Sequence, residues 1–215
     1  MNEEPHHHLV LQNSVVKVFE VELPARDAFL MHRHDTDDVA IVLSESATVS
    51  TAPGQADVLT MSKVGDVRFA RSGRIHSVRN IGRTAHRMIL IGLLQPQTGA
   101  RNLCGTQVPE STSKCPAAAA DANAPSSDVP QFETDEVRVT LTRVRPHAQA
   151  NFGDAGGDDL IVTIDDAVIV SAAGAGTDQP LATGEPVWIA HGGAKRILRN
   201  NSEKDLRVVT VAFKP

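Results

Sequence analysis

His32-Arg33-His34-Asp35-Thr36-Asp37-Asp38-Val39-Ala40-Ile41-Val42 joins two imidazoles at alternate positions, a pair of carboxylates and an apolar run that continues to Leu43. Alternate residues of an extended chain share a face, so His32 and His34 point the same way. Asp38 follows four positions after His34, which leaves room for a short turn into the next strand. Val39 to Leu43, bounded by polar residues, reads as a strand buried on both faces. Asp37, one position before Asp38, is expected to face away from it.

Outward from this stretch the chain keeps the same character. Val15-Val16-Lys17-Val18-Phe19-Glu20-Val21-Glu22-Leu23 alternates at its C-terminal end as a half-buried strand does. Short runs rich in Val, Ile and Thr are broken by Gly, Pro, Asp and Asn, and no window carries a long capped helical period. The expected class is all-β, built as a sandwich or barrel.

The second half repeats the first. Val16-Lys17-Val18 returns as Val137-Arg138-Val139, and Asp37-Asp38-Val39-Ala40-Ile41-Val42 as Asp158-Asp159-Leu160-Ile161-Val162-Thr163. Gly65-Asp66-Val67-Arg68-Phe69-Ala70 returns as Gly184-Glu185-Pro186-Val187-Trp188-Ile189, and Val78-Arg79-Asn80 as Leu198-Arg199-Asn200. Four matches in order, at a nearly constant offset, predict an internal duplication of one β-domain. Between the copies, 95–130 is rich in Ala, Pro and Ser and reads as a linker. The expected domains are therefore 1–94 and 131–215. Cys104 and Cys115 lie within the linker and would form a local disulfide in an oxidising compartment; their spacing is not one that zinc sites use.

His76 stands on another expected strand, so that His32, His34, His76 and Asp38 make a mixed nitrogen and oxygen set. Such a set suits Zn, Fe, Mn, Ni or Cu and does not separate them. At these residues the chain resembles the cupin superfamily. The family's first motif, Gly-x5-His-x-His-x3,4-Glu-x6-Gly, is matched by His32-x-His34-x3-Asp38, with Asp for Glu and without the flanking glycines. The second, Gly-x5-Pro-x-Gly-x2-His-x3-Asn, is matched by Gly65-x5-Arg71-x-Gly73-x2-His76-x3-Asn80, with Arg71 for Pro. The resemblance implies two jelly-roll (double-stranded β-helix) cupin barrels in one chain, a bicupin. It also implies a divalent transition metal held by His32, His34, Asp38 and His76. The Asp38 carboxylate is one methylene shorter than that of Glu, so it reaches a metal directly, reaches it through a water, or leaves a site of three histidines. The bland reading of Gly65 and Gly73 is that they serve turns, and of Asn80 that its side chain ties one.

The second repeat lacks these ligands. Aligned on Asp38 and Asp159, its two His positions become Gly153 and Ala155, and Lys195 or Arg196 stands at the third. The second barrel is expected to be metal-free. His147 and His191 fall off the ligand positions. His6-His7-His8 reads as a polar lead-in to the first strand, and His86 as structural. Among Arg68, Arg71 and Arg74, Arg71 is the candidate for attracting a carboxylate substrate at the pocket mouth.

The bulk numbers exclude several partners. A net charge of −5 with no basic cluster argues against nucleic acid. Six Phe, one Trp and no Tyr cannot build a stacking platform, and no apolar run approaches a membrane span. The expected partner is a small organic molecule, with the chain a monomer or homodimer. The N-terminus shows neither the basic start nor the apolar core of a leader. The linker and the two cysteines nevertheless favour a periplasmic or secreted protein, and the chain is also similar to bacterial cupin proteins of exported origin. The expected function is that of a metal-dependent enzyme of dioxygenase, lyase or isomerase type. Its rival is a non-catalytic metal or small-ligand binding protein. A transcriptional regulator would need a helix-turn-helix segment, and none is visible.

Overall fold

The computed structural model describes residues 4–108, 111–113, 115, 124–153, 156–171 and 178–215. The chain divides into two compact units, Met1–Pro96 and Gln97–Pro215. All named elements among the described residues are strands.

In the first unit these are β1 (His7–Gln12), β2 (Val16–Leu23), β3 (His32–Arg33), β4 (Asp37–Val42), β5 (Ser46–Thr51), β6 (Val58–Ser62), β7 (Val67–Ala70), β8 (Ile75–Asn80) and β9 (His86–Leu93). One sheet runs β1-β2-β9-β4-β7 and the other β3-β8-β5-β6. The second unit contains β10 (Arg101–Asn102), β11 (Ser126–Glu133), β12 (Val137–Val144), β13 (Gln149–Phe152), β14 (Asp159–Thr163), β15 (Ala167–Ser171), β16 (Gln179–Leu181), β17 (Pro186–Ile189), β18 (Arg196–Arg199) and β19 (Leu206–Phe213). Its sheets run β10-β11-β12-β19-β14-β17 and β13-β18-β15-β16. Apart from β10, the second order is the first with every strand number raised by ten. The duplication seen in sequence is thus a duplication of strand order, and each unit is a jelly-roll barrel of two antiparallel sheets.

The pairing follows from alternation. On β2, Phe19, Val21 and Leu23 alternate onto one face and are buried together, and the strand pairs along its whole length with β9. Apolar residues facing one way close the barrel, as the hydrophobic effect favours. Gly65 and Gly73 both have positive φ (93° and 84°), as tight turns between strands require. Asn80 is fully buried and its Nδ2 donates to the carbonyls of Leu23, Pro24 and Thr84, while its Oδ1 accepts from Gly82 N. Asn200 repeats this in the second unit, donating to Val144, Arg145 and Lys204.

The expected linker, 95–130, is in part strand. β10 lies inside it, and Ser126–Pro130 opens β11, which pairs with β12. Pro130 is accommodated because the register shifts between Pro130 and Phe132, a bulge where its missing N–H is not needed. Cys104 and Cys115 are joined in a disulfide, with Cα atoms 4.3 Å apart.

Candidate metal centre

β3 and β8 place the histidines. His32 pairs with His76 across the two strands, and His34 N donates to Arg74 O just beyond the ladder. Residues opposite one another on antiparallel strands share a face, so all three rings enter the first barrel together. His34 Nε2 lies 3.1 Å from His32 Nε2 and 3.0 Å from His76 Nε2. The ring centroids of the three are 4.9–5.0 Å apart. This trio is the group among the described residues whose ligand atoms lie close enough to share one ion.

The outer nitrogens decide the protons. His32 Nδ1 is 2.8 Å from Leu30 O, which only accepts, so that nitrogen carries the hydrogen. His34 Nδ1 is 2.8 Å from Asp38 Oδ2. Arg74 Nη2 is also near it, but at 3.5 Å and with only hydrogens to offer, so the carboxylate takes the bond. His76 Nδ1 is 3.0 Å from Ser50 Oγ, which can accept. Burial, the largest cause, pushes the pKa of His32 down, with His34 nearby adding to it and the Leu30 carbonyl opposing. Burial likewise lowers that of His76 to about 3, helped by the Arg74 guanidinium and the two other imidazoles. His32 and His76 are therefore neutral at pH 7. In this arrangement three Nε2 lone pairs converge with no hydrogen between them, a contact that is repulsive alone and that a cation resolves. Imidazole nitrogens bind such metals at about 2.0–2.1 Å, and two of them at right angles stand roughly 3.0 Å apart. The observed spacings fit that donor set.

Asp38 lies outside the trio whose ligand atoms could share one ion, which accords with the last of the three options that the sequence left open. It is buried, and its carboxylate is held behind His34 by Nδ1 of that ring and by Arg74 Nη2 at 3.0 and 3.2 Å. The short side chain ends one layer out, and Arg74 occupies its remaining lone pairs. Arg71, expected at the pocket mouth, is not among the residues that line the cavity. It bonds Asp37 at 3.0 Å and covers the Phe69 ring at 5.0 Å, outside the cavity. Asp37 also accepts from Ser72 N, so, as expected, it faces away from Asp38.

A cavity of about 180 Å³ opens beside the triad. Its apolar wall comes from Phe29, Ala40, Val78, Met88 and Leu90; its polar lining includes Thr48, Ser50, Thr60, Arg68, Arg74 and His86. His7 also lines it, contrary to the reading of His6-His7-His8 as lead-in. The His7 ring packs against Phe29 and His32, with centroids 5.1 and 5.6 Å away. Its Nδ1 is buried without a hydrogen-bond partner among the described residues, and burial, aided by His32 and His34, lowers its pKa to about 3. Spacing from the HxH pair could not have found it, because β1 reaches the site only by pairing with β2.

The second barrel has no such centre among its described residues. Gln149↔Arg199 through Phe152↔Arg196 pair without a slip, whereas the first unit slips by one residue between Ala28↔Arg79 and His32↔His76. The residue at the His32 station is therefore Phe152 rather than Gly153, and Arg196 holds the His76 station. Ala155 lies outside the described residues. His147 bonds Glu203 on the surface, and His191 is tied through its backbone to Asp158.

No protein-family model matches the chain, and no curated protein does. Solved structures do match. A cupin 2 conserved barrel domain protein from Leptotrichia buccalis superposes with a TM-score of 0.59 at 9% identity, over 97% of this chain and 88% of its own. An oxalate decarboxylase gives 0.61 at 12% identity, over 96% and 74%. A variant of salicylate 1,2-dioxygenase from Pseudoaminobacter salicylatoxidans in complex with gentisate gives 0.63 at 10% identity, over 99% and 74%. At such identities the likeness speaks to fold, and with the strand order above it establishes two jelly-roll barrels of the cupin fold.

Proposed function

We propose that the first barrel binds one divalent transition metal on Nε2 of His32, His34 and His76, and that the chain is a metal-dependent enzyme acting on a small organic molecule. The observation that carries this is the convergence of the Nε2 atoms of His32 and His76 on that of His34, at 3.1 and 3.0 Å, with each outer nitrogen engaged by a hydrogen-bond partner. A metal there would supply Lewis acidity or oxygen activation at its open positions. The chain's own residues do the rest. Leu30 O, Asp38 and Ser50 hold the ligand tautomers, Arg74 holds Asp38, and Phe29, Val78, Met88 and Leu90 exclude bulk water from one wall. Structural neighbours that include an oxalate decarboxylase and a salicylate dioxygenase support small-molecule chemistry in this fold. The Cys104–Cys115 disulfide supports a periplasmic or secreted setting.

A non-catalytic binding protein is the rival reading. It is favoured by one feature: Asp38, the one carboxylate lining the cavity, is committed to Arg74 and His34 and leaves no acidic base free there. Turnover decides between them. Protein loaded in turn with Fe(II), Mn(II), Ni(II) and Zn(II) is screened against small aromatic and aliphatic acids for oxygen uptake and product. Turnover that H76A abolishes supports the enzyme; saturable binding without turnover for every metal supports the container.

A further inference from the structure

The two barrels share one strand order, so each cavity-lining residue of the first has a counterpart fixed by register in the second. Thr48 sits opposite Thr60, and Ala167 opposite Leu181. Ser50 pairs with Val78, and Ile169 with Leu198. Arg68 pairs with Ala40, and Val187 with Ile161. His86 pairs with Leu23, and Leu206 with Val144. Thr48, Thr60, Ser50, Arg68 and His86 are thus replaced by Ala167, Leu181, Ile169, Val187 and Leu206. The second set belongs to, or packs against, the apolar core of its barrel. The fold closes well with apolar residues at every one of these stations. Polar side chains inside a barrel cost free energy unless they are partnered; Ser50, His86 and Arg68 have protein partners in part, and the polar lining as a whole suits a polar ligand.

Arg68 carries a charge where the second barrel has a valine. Its Nη2 bonds Ser62 Oγ at 2.8 Å and reaches Asp66 only at 3.4 Å; its Nε and Nη1 hydrogens have no acceptor among the described residues. Beside it, His86 is tied through Nδ1 to Ser46 Oγ. The other cation of the lining, Arg74, is matched by Asp38. The carboxylate that pairs with Arg68, Asp66 at 3.4 Å, lies outside the cavity lining, so Arg68 is the lining cation without a lining carboxylate beside it.

We propose that Arg68, flanked by Thr48, Thr60 and His86, is a carboxylate subsite, and that the ligand is a small dicarboxylate with its other end at the His32–His34–His76 centre. This rests on the metal reading above for the far end of the ligand. A cavity of about 180 Å³ is smaller than the roughly 300–1,000 Å³ of sites for drug-sized ligands, which favours a short-chain ligand. A guanidinium matches a carboxylate in geometry as well as charge.

The test uses malonate, succinate and glutarate, each against its mono-amide, which keeps size and removes one charge. Binding is measured by calorimetry on the full chain, chelator-stripped and Co(II)-loaded, with metal uptake determined separately. The variant is R68V, the side chain that the second barrel carries at this station, chosen so that the fold is kept; unchanged Co(II) uptake and melting temperature verify this. The expected result is that loaded wild-type protein binds at least one dicarboxylate about tenfold or more tightly than its mono-amide, and that R68V loses this preference while still loading Co(II). The subsite is overturned if no dicarboxylate binds better than its mono-amide, or if R68V keeps the preference. Failure of Co(II) to load wild-type protein overturns the two-ended ligand together with the metal reading. A preference lost in R68V while Co(II) loading persists separates the two outcomes.

Discussion

His34 and Asp38 form a buried pair, Nδ1 to Oδ2 at 2.8 Å, at the point where the triad meets the barrel wall. Through it the carboxylate fixes which nitrogen of His34 faces the other two imidazoles. Outer-layer partners of this kind raise ligand basicity and hold ring orientation. D38N presents an amide that can turn its NH2 toward Nδ1 and reverse the tautomer. We expect D38N to bind metal about 10–100-fold more weakly than wild type while keeping one site per chain. Competition against a calibrated chelator measures it, and unchanged affinity would mean that His34 does not depend on Asp38.

His7 is expected to act differently from the triad. It stands in the cavity wall but outside the trio that can share an ion, and its Nδ1 is buried without a partner among the described residues. H7F keeps an aromatic ring against Phe29 and removes both nitrogens. Metal stoichiometry should stay at the wild-type value, and the ligand-free protein should be stabilised by up to about 1–2 kcal/mol, because a buried polar atom without a partner is removed. Thermal melting of both proteins checks this; loss of metal from H7F would make His7 part of the centre.

Acid should destabilise the first barrel through His86. Burial, aided by the Arg68 charge, lowers its pKa to about 4. A group whose folded pKa lies below its unfolded value of about 6.5 binds fewer protons when folded. Its contribution is full above pH 6.5 and is lost as pH falls toward 4. The loss is at most about 3 kcal/mol. H86L, the residue that the second barrel uses at this station, should make the stability curve shallower between pH 6.5 and 4, while His7 and His76, each lowered to about 3, keep a slope in both proteins. A curve for H86L parallel to that of wild type would show that other groups carry the acid sensitivity.

Asn80 and Asn200 hold the same station in their barrels, each donating to three backbone carbonyls. Truncation leaves buried carbonyls without donors. N80A and N200A should each cost about 2–4 kcal/mol, read as separate shifts in melting, with N80A alone reducing metal binding because β8 carries His76 between Ile75 and Asn80.

Much of this was legible in sequence. The four echoed segments and strand alternation pointed to a duplicated β-domain, and the resemblance of the His32, His34 and His76 motifs to those of cupins pointed to jelly-roll barrels and the triad. The place of Asp38 was not legible. A carboxylate four residues after a histidine suits a ligand and its support equally, and the choice lies with Arg74, which pairs with it across the fold. The one-residue slip that puts Phe152 rather than Gly153 at the His32 station is likewise a property of strand register, which composition does not reveal. His7 was hidden for the same reason: it reaches the cavity through β1 pairing, far in sequence from the residues that it meets. Ser126–Pro130 reads as linker because the Pro, Ser and Asp content masks an edge strand bulged at its proline.

The most direct test of the metal centre is the metal content of protein purified without chelators and then reloaded, for wild type and for H76A. The account predicts one transition-metal ion per chain in wild type, none above background in H76A, and the wild-type value in H191A, whose histidine lies in the second barrel. No bound metal in wild type, or an equal load in H76A, would contradict it.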